Sequence, residues 1–541
     1  MMESSARMAR RLAACILFLG SLTHPAAAQQ SADSTSDPAT HLMEMLEALT
    51  STGQLVIEQR QIGAAKFMRE FYGARRFKPA WTDPRNVDDL IAGIESAWSD
   101  GLTLEDFHLS AVTRLRSPEG LDAALIAGRD ILFTDSLVRL GYQLFYGKVN
   151  PSSFDANWNL DRPLFERNPA EVLAETLGNN TIPALLDALR PQTAGYKKLR
   201  DALARKREAS RQTRIPVPDG ATLRKGDSGD RVTALRARLG LTAGTDFDDT
   251  LDAAVRVFQT DNRLAVDGVV GGQTLAALNV GPEQRIDTLR VNMERARWFR
   301  DLRQSGTFIA VNIAGFRVYL VENGAIVWET RAIVGKTYHK TPLFTADMQY
   351  IVLNPTWTPT ANIVRNEMLP KIRKDPGYLT ARNFAVYDGS GQRVDPHQAD
   401  WSSHRQYRIV QLPGPENALG RVKFIFPNGH AVYLHDTPSR NLFDKGQRAF
   451  SHGCIRTENP IELAKRLLAD QPAWQPEAIE AVLDSGKSKT VYLTDPLPVY
   501  LLYWTANPLR EGEEIEYLPD VYDRDGTILK ALDAPFEPIA S

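Results

Sequence analysis

A chain of 541 residues with 64 Lys and Arg against 66 Asp and Glu carries a formal charge of −2, which offers no general field for gathering a polyanion. Nucleic-acid binding and membrane coating therefore lose their simplest electrostatic support. With 43% hydrophobic and 24% charged residues the composition is globular, and at roughly 150 residues per domain the length predicts about three units, each large enough for its own core.

Residues 1–28 read as a secretory signal: Arg7, Arg10 and Arg11, the apolar run Leu12 to Leu22, then Ala26-Ala27-Ala28 as a small-residue cleavage site. That apolar run is too short to span a bilayer, and no later stretch is long enough, so the expectation is an exported protein that is not integral to the membrane once cleaved. Cys15 sits inside the apolar run rather than after it, which argues against lipidation. Cleavage leaves Cys454 as the one thiol, with no internal disulfide; it is either a small buried core residue or a thiol in use.

Residues 29–40 are rich in Ser, Asp, Thr and Pro and read as a disordered linker. From 41 to 215 apolar residues recur at helical spacing, as in Leu137, Leu140, Leu144 and Ile182, Leu185, Leu186, Leu189, predicting an all-α scaffold domain with no chemical motif. Arg205 to Asp219 is basic and then carries Pro216 and Pro218, which reads as a helix end and a linker.

Residues 220–281 form a small unit, with Val232, Leu235 and Leu239 on one helical face, Leu251, Ala254, Val255 and Phe258 on another, and a short helix from Thr274 to Leu278. This pattern resembles the three-helix peptidoglycan-binding domain, and a spacer that has lost its ligand is the alternative. Residues 282–304 are expected to return to the scaffold as a helix.

From 305 to 505 the period becomes two. Phe308 to Ile313, Phe316 to Val321 and Ile326 to Val334 read as strands, with Asn323-Gly324 as a hairpin turn because both residues tolerate positive φ. Residues 355–415 are Pro/Gly-rich and polar, with a helix expected around Asn366 to Lys374, and read as a capping insertion, a candidate lid. Strands are expected again at Val422 to Phe426, His430 to His435, Thr490 to Leu493 and Val499 to Trp504, with helices at Ile461 to Leu468 and Pro476 to Leu483; residues 506–541 read as a tail.

Six of the nine histidines lie between His339 and His452, which concentrates acid/base capacity in the β domain. In His430-Ala431-Val432-Tyr433-Leu434-His435, period two sends Val432 and Leu434 to the core and places Tyr433 beside His435 on the other face. Further on stands Ser451-His452-Gly453-Cys454-Ile455-Arg456, followed by Asn459, Pro460 and Glu462 at N-cap, N1 and N3 of a helix. The thiol is thus expected on a loop feeding a helix start, with His435, His452 and Arg456 lowering its pKa toward thiolate. Gly453 allows close backbone approach, and the amides of Gly453 and Cys454 are candidates for an oxyanion hole.

These two segments, Tyr433 to Thr437 and Ser451 to Arg456, resemble the signature of the L,D-transpeptidase catalytic domain, the cysteine enzymes that cross-link peptidoglycan. Leu412-Pro413-Gly414-Pro415, Asn417 and Leu419 to Phe424 belong to the same resemblance. It extends over nearly all of the chain after residue 28, toward the long proteobacterial members with scaffold, peptidoglycan-binding unit and capped catalytic domain. The fold class expected is therefore α+β multidomain, with a mainly-β catalytic domain.

The resemblance implies Cys454 as nucleophile and His435 as general base, Gly453 and Cys454 at the oxyanion hole, and Ser451 and Arg456 shaping the loop. His452 either tunes the thiol or packs. The group that orients His435 is expected to be a backbone carbonyl or a serine, because period two points the Asp436 side chain away. Tyr433 and Trp357 are candidate substrate contacts, and core packing is the alternative for Trp357. Implied partners are peptidoglycan stem peptides and glycan in a periplasm; no metal, cofactor or nucleic acid is implied.

Neither Ser-x-x-Lys nor His-Glu-x-x-His occurs, which sets aside serine penicillin-binding and zinc-peptidase chemistry. Gly335-Lys336-Thr337 lacks the upstream glycine of a phosphate loop, with Thr330 in its place. Three readings stay open: a transpeptidase making 3-3 cross-links through a thioester, a hydrolase on the same site, and a non-catalytic wall-binding protein.

Overall fold

In the computed structural model the described residues are 37–536, apart from 155–157, 160–166, 212–215, 263, 301–305, 376, 510–511 and 513. The expected signal segment at 1–28 lies outside them. Among the described residues no helix is long and apolar enough to cross a membrane.

The N-terminal domain is helical, as its periodicity predicts, with one small departure: Val56–Ile57 and Arg60–Gln61 pair as a two-residue hairpin. Its first helix, Pro38–Thr52, begins inside the stretch expected to be a disordered linker. The local reason is ordinary capping chemistry, since Asp37 accepts from the Ala39 amide and Pro38 stands at the first helical position. Three helices, Asp230–Arg238, Asp249–Asp261 and Gly272–Leu278, form the next unit around Val232, Leu235, Leu251 and Val255. The chain then returns through the helix Pro282–Trp298, which packs on Ala194–Ser210; Leu199, Leu203, Leu289 and Met293 share a core there with Phe308, Leu502 and Trp504 of the β domain.

That domain is a nine-stranded mixed sheet. We number its strands β1 (Thr307–Asn312), β2 (Arg317–Glu322), β3 (Ala325–Gly335), β4 (Thr345–Leu353), β5 (Val422–Ile425), β6 (Leu434–His435), β7 (Ala449–Ser451), β8 (Ile455–Thr457) and β9 (Lys489–Leu502). Their order is β7-β3-β8-β6-β5-β4-β9-β1-β2, and β2 also pairs with β3, so the sheet closes on itself. The β2–β3 turn is the expected one, with Asn323 at φ 49° and Gly324 at φ 82°.

Three expectations need correction. The strand expected from His430 is reduced to Leu434–His435, because the Asn428 side chain ties down Phe426 and Val432 carbonyls and the His430 and Val432 amides, and holds this stretch as a loop with Ala431 at φ 53°. The two strands expected near 490 and 499 are one strand with a register shift between Tyr492 and Leu497, where Asp495 and Pro496 interrupt the ladder. The segment after 505 is no loose tail: Ala506–Asn507 pairs with Glu516–Tyr517, and the helix Asp525–Asp533 buries Ile528 and Leu532 against Val149 and Val291. Strand β4 passed unread in the sequence.

Residues 357–411 leave the sheet and form a separate three-stranded sheet of Phe384–Tyr387, Arg393–Val394 and Arg408–Gln411 with its own core around Ile372, Leu379 and Trp401. The expected helix there runs longer, Ala361 to Lys374, with a π-turn at Val364–Met368.

Candidate active site

Register places the chemistry. Strand β5 pairs antiparallel with β6 through Lys423↔His435 and Phe424↔Leu434, and β6 pairs parallel with β8 through Leu434↔Ile455 and His435↔Arg456. Phe424, Leu434 and Ile455 are fully buried in the core. Alternation therefore sets Lys423, His435 and Arg456 side by side on the opposite face, with Tyr433 and Cys454 in the adjoining row. His435 and Cys454 are diagonal neighbours on that face.

The thiol sits half-buried, and Sγ donates to the Ala431 carbonyl at 3.5 Å. Its expected position at a helix start is corrected: strand β8 follows it directly, and the helix Pro460–Leu467 begins only beyond that strand. Asn459 occupies the N-cap position but its side chain donates to Thr330 Oγ1 at 3.2 Å instead of capping.

The expected thiolate is corrected too. Burial pushes the Cys454 thiol above its ordinary range, against hydrogen bonds from the Tyr433 backbone and hydroxyl and against the Lys423 and Arg456 cations. His435 moves the other way, down to about 3, because burial and then the Arg456 and Lys423 charges oppose imidazolium. The resting site is a neutral thiol beside a neutral imidazole. The unprotonated ring nitrogen keeps a lone pair able to accept a proton.

His435 Nδ1 meets the Asp436 carbonyl at 2.5 Å, so the orienting group is a backbone carbonyl. This contact makes Nδ1 the protonated nitrogen and leaves Nε2 as the acceptor. The Asp436 carboxylate turns away, as period two requires, and accepts from the Arg421 amide at 2.8 Å and from Arg440 at 3.2 Å.

The oxyanion expectation is halved. Gly453 N–H donates to Ser451 Oγ at 3.1 Å, and Ser451 Oγ donates to the Cys454 carbonyl at 2.5 Å. Ser451 thus closes the loop on itself, and among the described residues only the Cys454 N–H is left for an incoming oxygen. Gly453 is required by its φ of 117°, a conformation L-residues rarely adopt.

His452 is engaged with the excursion. Its Nε2 pairs with Glu367 Oε1 at 2.6 Å, and its ring lies 5.3 Å from that of His339. Glu367 stands on the π-turn of the excursion, so this contact joins the excursion to the cysteine loop. Arg456 is half-buried with its Nε unpartnered, facing the site. Tyr433 lies against His435, ring to ring at 5.5 Å. The Trp357 backbone pairs with Gln411 across the base of the excursion, and its indole packs near Phe384.

Sequence reading missed Lys423 as a site residue, although the alternation Val422-Lys423-Phe424 carries the signal. Its Nζ lies 4.0 Å from the centre of the Tyr433 ring. Among the described residues no group of three or more His, Cys, Asp or Glu could hold a metal ion.

Known families match three stretches: a scaffold domain at residues 66–203, a "Putative peptidoglycan binding domain" at 229–278 and an L,D-transpeptidase catalytic domain at 306–487. A protein of Haemophilus influenzae named "Putative L,D-transpeptidase" is 36% identical over 243 residues, 44% of this chain and 48% of the relative, so the match spans about half of that relative's length. Among solved structures, an L,D-transpeptidase fragment from Xylanimonas cellulosilytica aligns at 18% identity over 53% of this chain and 99% of its own, with a TM-score of 0.18. One from Stackebrandtia nassauensis aligns at 14% over 53% and 97%, with a TM-score of 0.20; scores this low support nothing further. The family matches give the chain its organisation: an L,D-transpeptidase catalytic domain at residues 306–487, preceded by a scaffold domain and a peptidoglycan-binding domain.

Proposed function

We propose that this protein is an exported, periplasmic peptidoglycan L,D-transpeptidase that forms 3-3 cross-links through a thioester on Cys454. The observation that carries this reading is the shared face of Cys454, His435, Lys423 and Arg456 next to an unused Cys454 N–H, inside a domain matched to that catalytic family. The substrates are a donor tetrapeptide stem and the side-chain amine of a diamino acid on a second stem, with the glycan as the wider partner.

In the first transfer Sγ bonds to the carbonyl carbon of the donor's third residue while His435 Nε2 takes the thiol proton. The Cys454 N–H receives the oxyanion. Collapse breaks the peptide bond, and the departing D-alanine amine leaves with the proton from His435. In the second transfer the acceptor amine attacks the thioester, gives its proton to His435, and expels sulfur, which recovers that proton. Lys423 and Arg456 favour developing negative charge on sulfur and oxygen, and they disfavour a lasting imidazolium. Proton transfer and carbon–sulfur bonding should therefore be concerted.

Residues 355–415 act as a lid in this reading, because the Glu367–His452 contact sets the excursion against the cysteine loop, where exclusion of water favours amine over hydrolysis. The test is incubation of the full chain with purified tetrapeptide muropeptides. Cross-linked dimers are expected; tripeptide monomers alone would establish a hydrolase, and unchanged substrate a wall-binding protein. Cys454→Ala should reduce product below about 10⁻³ of wild type with the fold intact. A carbapenem should add once per wild-type chain and not to Cys454→Ala, read by intact mass.

A further inference from the structure

The matched catalytic domain ends at residue 487, yet a residue well beyond it holds the loop whose Thr341 meets the cysteine loop. Tyr522 is 1% exposed and stacks on Tyr503 with ring centroids 5.7 Å apart, and its own amide donates to the Tyr503 hydroxyl at 2.7 Å. Anchored in this way, its hydroxyl donates to the Gly335 carbonyl at 2.6 Å and accepts from the Thr341 amide at 3.2 Å. Lys340 Nζ adds a contact to the Tyr522 carbonyl at 2.8 Å. Tyr522 therefore clamps Gly335, the end of β3, to Thr341 within the loop that leads to β4.

Thr341, fully buried, passes the clamp onward. Its Oγ1 accepts from the Gly335 amide at 2.9 Å and donates to the Gly453 carbonyl at 2.8 Å. That carbonyl belongs to the same planar peptide unit as the Cys454 N–H, so fixing the oxygen fixes the direction of the N–H on the other side. The loop is closed so tightly that a Cβ at Gly335 would lie 2.0 Å from the His339 carbonyl oxygen. Ser451 already occupies the Gly453 amide, which leaves the orientation of this one peptide to decide whether an oxyanion is met.

We infer that Tyr522 and Thr341 are positioning residues for the oxyanion site, aiming the Cys454 N–H through the Gly453 carbonyl. The inference rests on the acyl-transfer reading above and extends the working site to the C-terminal segment. Neither residue touches the reacting atoms.

Two reactions of the same thiol separate this role from a merely structural one. Alkylation by iodoacetamide is a displacement at carbon that forms no oxyanion, whereas acylation by a p-nitrophenyl ester passes through a tetrahedral oxyanion. In the full chain, Tyr522→Phe keeps the stacked ring and loses only the hydroxyl. It should slow acylation of Cys454 by about 10- to 100-fold while alkylation stays within about twofold of wild type. Thr341→Val should do the same, Thr341→Ser should restore acylation, and the double variant Tyr522→Phe/Thr341→Val should be no slower than Thr341→Val alone. If Tyr522→Phe fails to fold, the Thr341 pair carries the test. The inference is overturned if acylation is unchanged, if acylation and alkylation fall together, or if Thr341→Ser fails to rescue. A wild-type chain that alkylates but is never acylated by ester or stem peptide refutes the acyl-transfer reading itself, a result distinct from all of these.

Discussion

At the scale of single residues, the site is organised around withheld charge. Cys454 and His435 are both held neutral, the thiol by burial and the imidazole by burial together with Arg456 and Lys423. A base whose pKa is about 3 keeps its lone pair across the physiological range, so kcat/KM should show no acid limb near the usual histidine value of about 6.5 and should decline only toward pH 3. Lys423→Met removes one of the two opposing cations. It should raise the His435 pKa, move the acid limb to higher pH, and leave the plateau rate lower because the sulfur loses a counter-charge. A pH–rate profile of the variant superimposable on that of wild type would show that Lys423 does not act on the imidazole. The same shift has a stability consequence. Between about 6.5 and 3 the unfolded chain binds a proton at this histidine and the folded chain does not, so this contribution to stability falls as pH drops through that window.

Among elements, the loops between strands decide what the strands can do. The turn at Gly453 needs a φ of 117°, and Gly453→Ala should strain it by about 1–3 kcal/mol and misdirect the adjacent N–H. Loss of acylation with a modest fall in thermal midpoint is the expected result, since no atom lies within 4 Å of the new Cβ position and backbone strain is the whole cost. The excursion meets this loop through Glu367 and His452, both of them at least a third exposed, so the pair is worth little as a stability term. Its value lies in placement. Glu367→Ala should leave thermal unfolding unchanged and raise the ratio of tripeptide monomer to cross-linked dimer in the muropeptide assay, because a looser cover admits water to the thioester. An unchanged product ratio would remove the reason for treating 355–415 as a lid.

Across the whole molecule, the returning helix is tied to the scaffold by buried charge as well as by apolar packing. Glu294 is fully buried on the returning helix, where it accepts from the Val149 amide at 2.6 Å and from Arg297 at 2.9 Å, and Arg297 also donates to Tyr196 at 3.0 Å. Glu294→Ala leaves Arg297 buried without its carboxylate and should cost about 3–5 kcal/mol, read as a lowered denaturation midpoint. A change under about 1 kcal/mol would mean that the remaining Tyr196 and backbone partners suffice for the guanidinium. The C-terminal helix packs on the same returning helix, with Asp525 paired to Arg295 at 2.7 Å, so the segment that carries Tyr522 is tied to the scaffold as well as to the sheet.

What the sequence alone determined is what depends on neighbours along the chain. Period two separates Leu434 from His435, Asn323-Gly324 makes a turn, and glycine before Cys454 supplies the one backbone conformation its loop needs. These follow from local sterics and a two-residue repeat, and they place the thiol and the imidazole as candidates, whose roles are what the family resemblance implies. Tertiary structure alone decided the rest, since each feature depends on what burial and distant segments bring near. The thiol is neutral because the fold desolvates it, which no motif encodes. The Gly453 amide is spent on Ser451, and Lys423 enters the site from a third strand. Tyr522 holds Thr341, which meets the cysteine loop, from a segment that, read by composition, looked like a tail. Desolvation and contacts between residues far apart in the chain arise only when the sheet has closed, so they are properties of the packed molecule.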